Sequence, residues 1–202
     1  MARLPDDQLD NIRNERKEQI MRAAIKVFAD NGVKLTKISM IAKEAGVSHG
    51  LVYHYFTSKE EVLYESLKWA VALNETRNFL QKLNEMSQSP LEKMKRFTKF
   101  AFSVNDSTSS NIFRIIQNLE RSEGIPKEVK DFTDSLGLMY INFFIPIVKE
   151  GQESGEIIQG DPEDLVGLFL TIISGVMADD IDFWQENMDW KVDIFLRMLS
   201  TH

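Results

Sequence analysis

The chain has 202 residues, 43% of them hydrophobic and 27% charged, with five prolines and ten glycines. That composition builds a core and excludes collagen-like, low-complexity and purely coiled-coil architectures. The absence of cysteine excludes disulfides, thiolate zinc sites and thiol nucleophiles together. The net charge of −7 is unevenly spread: residues 11–59 carry nine Lys/Arg against four acids, whereas residues 60–202 carry fourteen against twenty-four. A basic N-terminal quarter on an acidic body implies that one part meets a polyanion while the rest is held off it.

Helical spacing dominates. Within Arg13–Asp30, Ile20, Ala23, Ala24, Val27 and Phe28 recur at i, i+3, i+4, i+7 and i+8, a first helix that Gly32 can end by taking positive φ. Thr36 is a good N-cap for a short second helix that carries Ile38, Ile41 and Ala42 inward and stops at Ala45-Gly46; Ser48 caps a third, His49 to Tyr55. Two short helices joined by a glycine turn have the spacing of a helix-turn-helix.

Ser58-Lys59-Glu60-Glu61 reads as a capping box opening a long fourth helix to about Asn84. Ser89-Pro90-Leu91-Glu92 opens a fifth to about Val104, and the polar run Asn105 to Ser110 separates it from a sixth, Asn111 to Arg121. Gly124-Ile125-Pro126 opens a seventh that ends at Ser154-Gly155, with a kink expected at Pro146. Asp161-Pro162 opens an eighth to about Trp184, and Met188 to Leu199 makes a ninth. Strand signals are weak throughout, so the expectation is an all-α protein of about nine helices. The opening Met1–Asp10 is acidic and polar rather than signal-like, and nowhere do about 18 apolar residues run together. A cytoplasmic protein with no membrane partner is expected.

The segment TKISMIAKEAGVSHGLVYHYFTSK, residues 36–59, carries the functional signal. Its Ala45-Gly46 turn lets two helices cross closely, and Ser48 begins a helix whose N-terminal amides suit a phosphate. On that helix His49, Gly50, Tyr53 and His54 make a polar and aromatic face, while Val47, Leu51, Val52 and Phe56 can point into the core. Gly50 costs about 1 kcal/mol against Ala, which close backbone approach to DNA would offset. Taken singly, Tyr53 and Phe56 are more readily core or surface-packing residues than DNA contacts, and one Lys is usually a solvated charge. His49 and His54 are five apart, poor spacing for a shared metal, so neither metal nor cofactor is expected.

Thr36, Ile41, Ala42, Ala45, Gly46, Val47, Ser48, Gly50, Tyr53, Phe56 and Lys59, with Val62-Leu63 following, resemble the DNA-binding domain of the TetR (tetracycline-repressor-like) family of bacterial regulators over about residues 13–65. The resemblance implies a DNA-binding domain at residues 1–59 and a helical effector-binding and dimerisation domain at 60–202. It places the third helix in the major groove of an operator. His49 and His54 would meet base edges and Tyr53 a phosphate or thymine methyl; Thr36, Lys37 and Ser48 would hold register, and Lys59 would neutralise a phosphate. Leu51 departs from the small or hydroxylated residue often found at its position.

Residues 60–202 hold most of the aromatic and Met inventory, enough either to fill a core or to enclose a ligand cavity. The family likeness favours a cavity lined by helices five to seven, with Phe97, Phe100, Met139, Tyr140 and Phe143 as candidates. No dense Arg/Lys cluster is evident, so an apolar or weakly cationic small-molecule effector is expected. Arg114 and Arg121 could hold one carboxylate or could simply form surface ion pairs. The eighth helix is apolar nearly all round and carries Gly167, Ser174 and Gly175, so it must be covered on more than one side. A homodimer joined by helices eight and nine through Leu168, Ile172, Gly175, Phe195 and Leu199 satisfies this, and it is the family's arrangement; burial in a monomer core is the alternative. Asp179, Asp180 and Asp182 read as a solvated helix end rather than a metal site.

These readings imply a dimeric transcriptional regulator that places two recognition helices on a pseudo-palindromic operator, with half-sites about 34–36 Å apart. An effector pressing on the fourth helix would release it, or with the opposite sign would create the DNA-binding form. An adaptor dimer that never touches DNA is a rival. An enzyme is the weaker rival, since no Gly-rich phosphate loop or nucleophile elbow is present.

Overall fold

A computed structural model describes residues 6–73, 75–103, 107–120, 122–179 and 181–201, the side chains of residues 6, 7, 9, 107, 181 and 182 excepted. Among the described residues the fold is all-α, with eleven helices: α1 (Asp6–Leu35), α2 (Ile38–Glu44), α3 (His49–Tyr55), α4 (Lys59–Leu73), α5 (Thr76–Glu85), α6 (Pro90–Ser103), α7 (Ser107–Glu120), α8 (Lys127–Glu153), α9 (Pro162–Ala178), α10 (Ile181–Gln185) and α11 (Met188–Leu196). None of the described helices is long and apolar enough to cross a membrane. Contacts divide the chain into two compact units, Met1–Leu73 with Arg114–Lys130, and Asn74–Phe113 with Asp131–His202.

In the first unit, α1 packs on α2 and α4. The stripe of Ile20, Ala24 and Phe28 is buried, as are Ile41, Val52, Phe56, Val62 and Leu63. Gly32 takes φ 71° and turns the chain at the end of that stripe, as expected. Thr36 does not cap α2. The N-cap residue is Lys37, without a side-chain bond. Thr36 is only 2% exposed, and its hydroxyl donates back to the Gly32 carbonyl at 2.7 Å, so it closes the turn behind rather than opening the helix ahead.

The cap of α4 is half the expected box. Ser58 Oγ accepts from the Glu61 N–H at 3.1 Å, but the Glu61 carboxylate reaches past Ser58 to the backbone N–H and hydroxyl of Thr57, each at 2.6 Å. The expected helix to Asn84 is instead two helices, α4 and α5. Asn74 lies outside the described residues, and the local sequence Asn74-Glu75-Thr76 pairs two poor helix formers.

The second unit is built on an aromatic cluster. Phe144 meets Phe97 and Phe169 edge to face, with centroids at 4.8 and 5.2 Å, and Phe169 stacks on Phe195 at 5.6 Å. Around it α6 packs on α11, α9, α10 and α5. Ser89 Oγ accepts from Glu92 N–H and Pro90 is the first residue of α6, as expected, while the Leu91 N–H goes to the Glu156 carboxylate from the far loop.

α7 begins four residues before Asn111. Its serines are used inside: Ser109 is buried and the Ser110 hydroxyl donates to the Met177 carbonyl at 2.8 Å. α8 continues through Pro146. The eighth predicted helix stops at Ala178 rather than Trp184, because Asp179 leaves helical geometry (φ −96°, ψ −163°); acids at a helix C-terminus oppose the dipole. Asp180 and the Asp182 side chain lie outside the described residues. An isolated antiparallel bridge pairs Ile157 with Ser200, and the Thr201 N–H donates to the Glu156 carbonyl.

The Thr57 hydroxyl, then the Thr57 backbone N–H, hold the Glu61 carboxyl below its ordinary 4.5. A carboxyl depressed in the folded state stabilises above its unfolded value and loses that contribution as pH falls through the folded one. The advantage in Tm of the wild type over Glu61→Gln is therefore present at about pH 6 and shrinks toward about pH 3. Melting curves read by circular dichroism check this; a difference independent of pH would remove the charge from the cap.

Candidate functional site

The reading face follows from one turn. Gly46 adopts φ +64°; its N–H donates to the Lys43 carbonyl, and the Val47 N–H returns to Ala42 at 3.0 Å, the double bond of a Schellman motif. Ser48 then caps α3, accepting from the Leu51 N–H at 3.1 Å. With Val52 and Phe56 buried, His49, Gly50, Tyr53 and His54 are all left exposed on α3. Tyr53, 50% exposed, meets His49 edge to face at 5.0 Å. A Cβ built on Gly50 finds nothing within 4 Å, so packing does not demand a glycine there.

The basic residues sort into spent and available. Lys17 pairs with Glu65 at 3.4 Å, Lys26 with Glu44 at 2.5 Å, and Arg22 lies over the Trp69 ring at 5.1 Å. The Glu44 hydrogen bond raises the Lys26 ammonium above its ordinary value. Lys59 donates to the Val33 carbonyl at 2.8 Å, which fastens the start of α4 to the end of α1. The side chains of Arg13, Lys34, Lys37 and Lys43 have no ion pair or hydrogen bond among the described residues. Spacing had singled out only Lys37 of these. Thr36, turned inward, presents neither hydroxyl nor N–H to a phosphate.

The effector candidates do not all meet. Phe97, Met139, Tyr140 and Phe143 belong to the aromatic cluster or pack against it, and Phe100 stacks on Phe79 at 3.9 Å. Burial raises the Tyr140 phenol, against a lowering hydrogen bond from Thr76. The Arg114 guanidinium pairs with Asp30 at 3.4 Å within the first unit, a surface ion pair of the kind that the sequence allows as the alternative to a carboxylate site. Arg121 lies outside the described residues.

Beside Met139 and Phe143 a groove of about 400 Å³ runs between α5 and α8. Arg77 and Lys93, which spacing did not single out, stand among its lining residues.

At the proposed dimer face, Leu168 is 48% exposed, whereas Phe195 and Leu199 are buried in their own unit. Ile172 is half-buried and Gly175 exposed. The apolar residues that α11 offers to solvent are Trp190 (65%) and Ile194 (43%). They lie on its opposite stripe, whereas Phe195 and Leu199, expected at the dimer face, are core residues of their own unit.

Lys37→Ala is expected to weaken duplex binding and to lower the slope of log affinity against log salt by about 1, with an unchanged melting curve; fluorescence anisotropy across a salt series tests it, and an unchanged slope would take Lys37 off the phosphates. Replacing both Trp190 and Ile194 by Glu is expected to give the mass of a monomer by sedimentation, with helicity retained. A persistent dimer would move the interface elsewhere.

The family model of bacterial regulatory proteins of the tetR family matches residues 20–65. The fatty acid metabolism regulator protein of Bacillus subtilis is 30% identical over 180 residues, 87% of this chain and 86% of that protein. The HTH-type transcriptional repressor KstR2 of Mycolicibacterium smegmatis is 27% identical over 159 residues, 77% of this chain and 74% of that one. The crystal structure of FadR from Bacillus subtilis in complex with stearoyl-CoA superimposes with a TM-score of 0.62 at 26% identity, covering 91% of this chain and 97% of the other. A helix-turn-helix with an exposed reading face, inside a likeness that runs nearly end to end, makes this chain a member of the tetR family of bacterial regulatory proteins, DNA-binding regulators of transcription.

Proposed function

We propose that the protein is a cytoplasmic homodimeric repressor that leaves a pseudo-palindromic operator when a fatty acyl-CoA binds its helical effector domain. Residues 1–59 would supply the DNA-binding domain and residues 60–202 the effector and dimer parts. The observation that carries this reading is the length of the likeness to the fatty acid metabolism regulator. It runs far beyond the DNA-binding segment at 20–65 into the part that senses the effector, and FadR is described with stearoyl-CoA bound. The acyl chain suits the apolar side of the sequence-based expectation. The phosphate-bearing part runs against it, since the lack of a dense Arg/Lys cluster disfavours a polyanionic ligand.

On DNA, α3 would enter the major groove with His49 and His54 toward base edges, and Tyr53 toward a phosphate or thymine methyl. Gly50 would let the α3 backbone approach closely. Lys37 and the Ser48 end of α3 would set register on the backbone, and Arg13, Lys34 and Lys43 would add sequence-independent attraction. Lys59 would act chiefly by holding α4 to α1, with its remaining N–H groups open to a phosphate. An effector that prefers the form unable to bind DNA by about 3 kcal/mol lowers operator affinity roughly 150-fold.

The test is to select an operator from random duplexes, measure its Kd at 50 and 200 mM salt, and add palmitoyl-CoA. Steep salt dependence and release by micromolar palmitoyl-CoA, but not by CoA alone, are expected. Salt-insensitive or absent duplex binding would favour the adaptor reading. Tighter operator binding with palmitoyl-CoA would reverse the sign of regulation, and no effect at any acyl length would overturn the effector class.

A further inference from the structure

We propose that the α5/α8 groove holds the phosphate-bearing part of an acyl-CoA, with Arg77 and Lys93 as its anion contacts, and that the acyl chain enters the core beside Met139 and Phe143. The proposal rests on the acyl-CoA reading above and deepens it.

The groove is built by two facing helical stripes. Arg77, Leu80, Gln81 and Asn84 fall at i, i+3, i+4 and i+7 on α5; Met139, Asn142, Phe143, Pro146, Ile147 and Glu150 follow the same spacing on α8. The first turn of α6 adds Lys93. The two stripes divide by chemistry. Leu80 and Ile147 are buried, at 5% exposure each, and Met139 and Phe143 are half-buried against the aromatic cluster. They form an apolar floor continuous with the core. Met139 is unbranched and can give way to a tail at little cost.

The rim is polar, and its cations are distinctive. Along α6 the other basic residues are spent: Lys95 on Asp193 at 2.6 Å, Lys99 on Asp189 at 2.7 Å and Arg96 on Glu92 at 3.6 Å. The side chains of Lys93 and, on α5, Arg77 have no ion pair or hydrogen bond among the described residues. Two unspent cations above an apolar floor complement a molecule that is anionic at one end and aliphatic at the other. Between these ends an acyl-CoA carries amides. The Asn84 and Asn142 side chains both donate and accept, and Pro146 withholds the N–H that the Asn142 carbonyl would otherwise receive. Glu150 is the one acid among the lining residues, and it opposes the phosphates.

Titration calorimetry of the full-length dimer with palmitoyl-CoA, palmitate and CoA tests the assignment. Arg77→Gln and Lys93→Gln are each expected to weaken palmitoyl-CoA about tenfold, the loss of one charge-assisted contact, and Glu150→Gln is expected to tighten it. All three should leave dimer mass, melting temperature and ligand-free operator affinity unchanged. Palmitate, whose single carboxylate is the other source of an anionic end, should respond far less to the two cation variants. If palmitate loses as much, the site serves a carboxylate and the nucleotide assignment falls. Should palmitoyl-CoA bind the wild type and all three variants equally, the groove is excluded while the acyl-CoA reading stands. Binding that obeys these shifts but never releases operator keeps the groove and overturns the effector role. No binding of palmitoyl-CoA to the wild type overturns both.

Discussion

The left-handed backbone at Gly46 is the constraint on which the reading face depends. A residue with a Cβ would find open space there, so the restriction is conformational rather than steric crowding. A left-handed φ costs an L side chain roughly 1 kcal/mol or more, and without it the two bonds that return to α2 cannot form together. The axis of α3 is thereby set by backbone geometry before any side chain on it is chosen. Val52 and Phe56 then anchor one side of the helix in the core, and the opposite side is left for polar and aromatic residues that need satisfy only an external partner.

A second constraint shapes the charge. The N-terminal segment is basic in total, but its cations do two jobs. Lys17, Lys26 and Lys59 bind oxygens of their own unit and hold α1, α2 and α4 in register. Such exposed pairs each contribute only about 0.2–1 kcal/mol, so their value lies in orientation as much as in stability. What remains is a smaller set of side chains, Arg13, Lys34, Lys37 and Lys43, without such partners among the described residues.

Much of this architecture was legible in the sequence, because caps and glycines act locally. Gly32, Ser48, Ser58 and Ser89 each perform the role their neighbours imply. The caps at Thr36 and Glu61 were misread over only four residues, but the larger failures share a cause: the deciding partner lies far away along the chain. The carbonyl that the Ser110 hydroxyl meets belongs to Met177, so a serine-rich run that looks like a loop is helical. The fate of Lys17 depends on Glu65, and that of Arg114 on Asp30, pairings that no spacing rule contains. On α11 apolar residues occupy two stripes. Periodicity reveals both, but only packing decides that Phe195 and Leu199 turn inward while Trp190 and Ile194 stay outside. The groove cations were missed for the same reason, since an unspent Arg77 differs from a spent Arg22 only once the fold has brought the latter to Trp69.

The bridge between Ile157 and Ser200 bears on how the protein is made. The Leu199 carbonyl receives the Ile158 N–H, and Thr201 bonds to both Gly155 and Glu156, while Glu156 in turn caps α6. A nascent chain emerging from a ribosome can pack α1 to α4 early, since that stretch lies within its first 73 residues. The second unit must wait until the segment through Thr201 has cleared the exit tunnel.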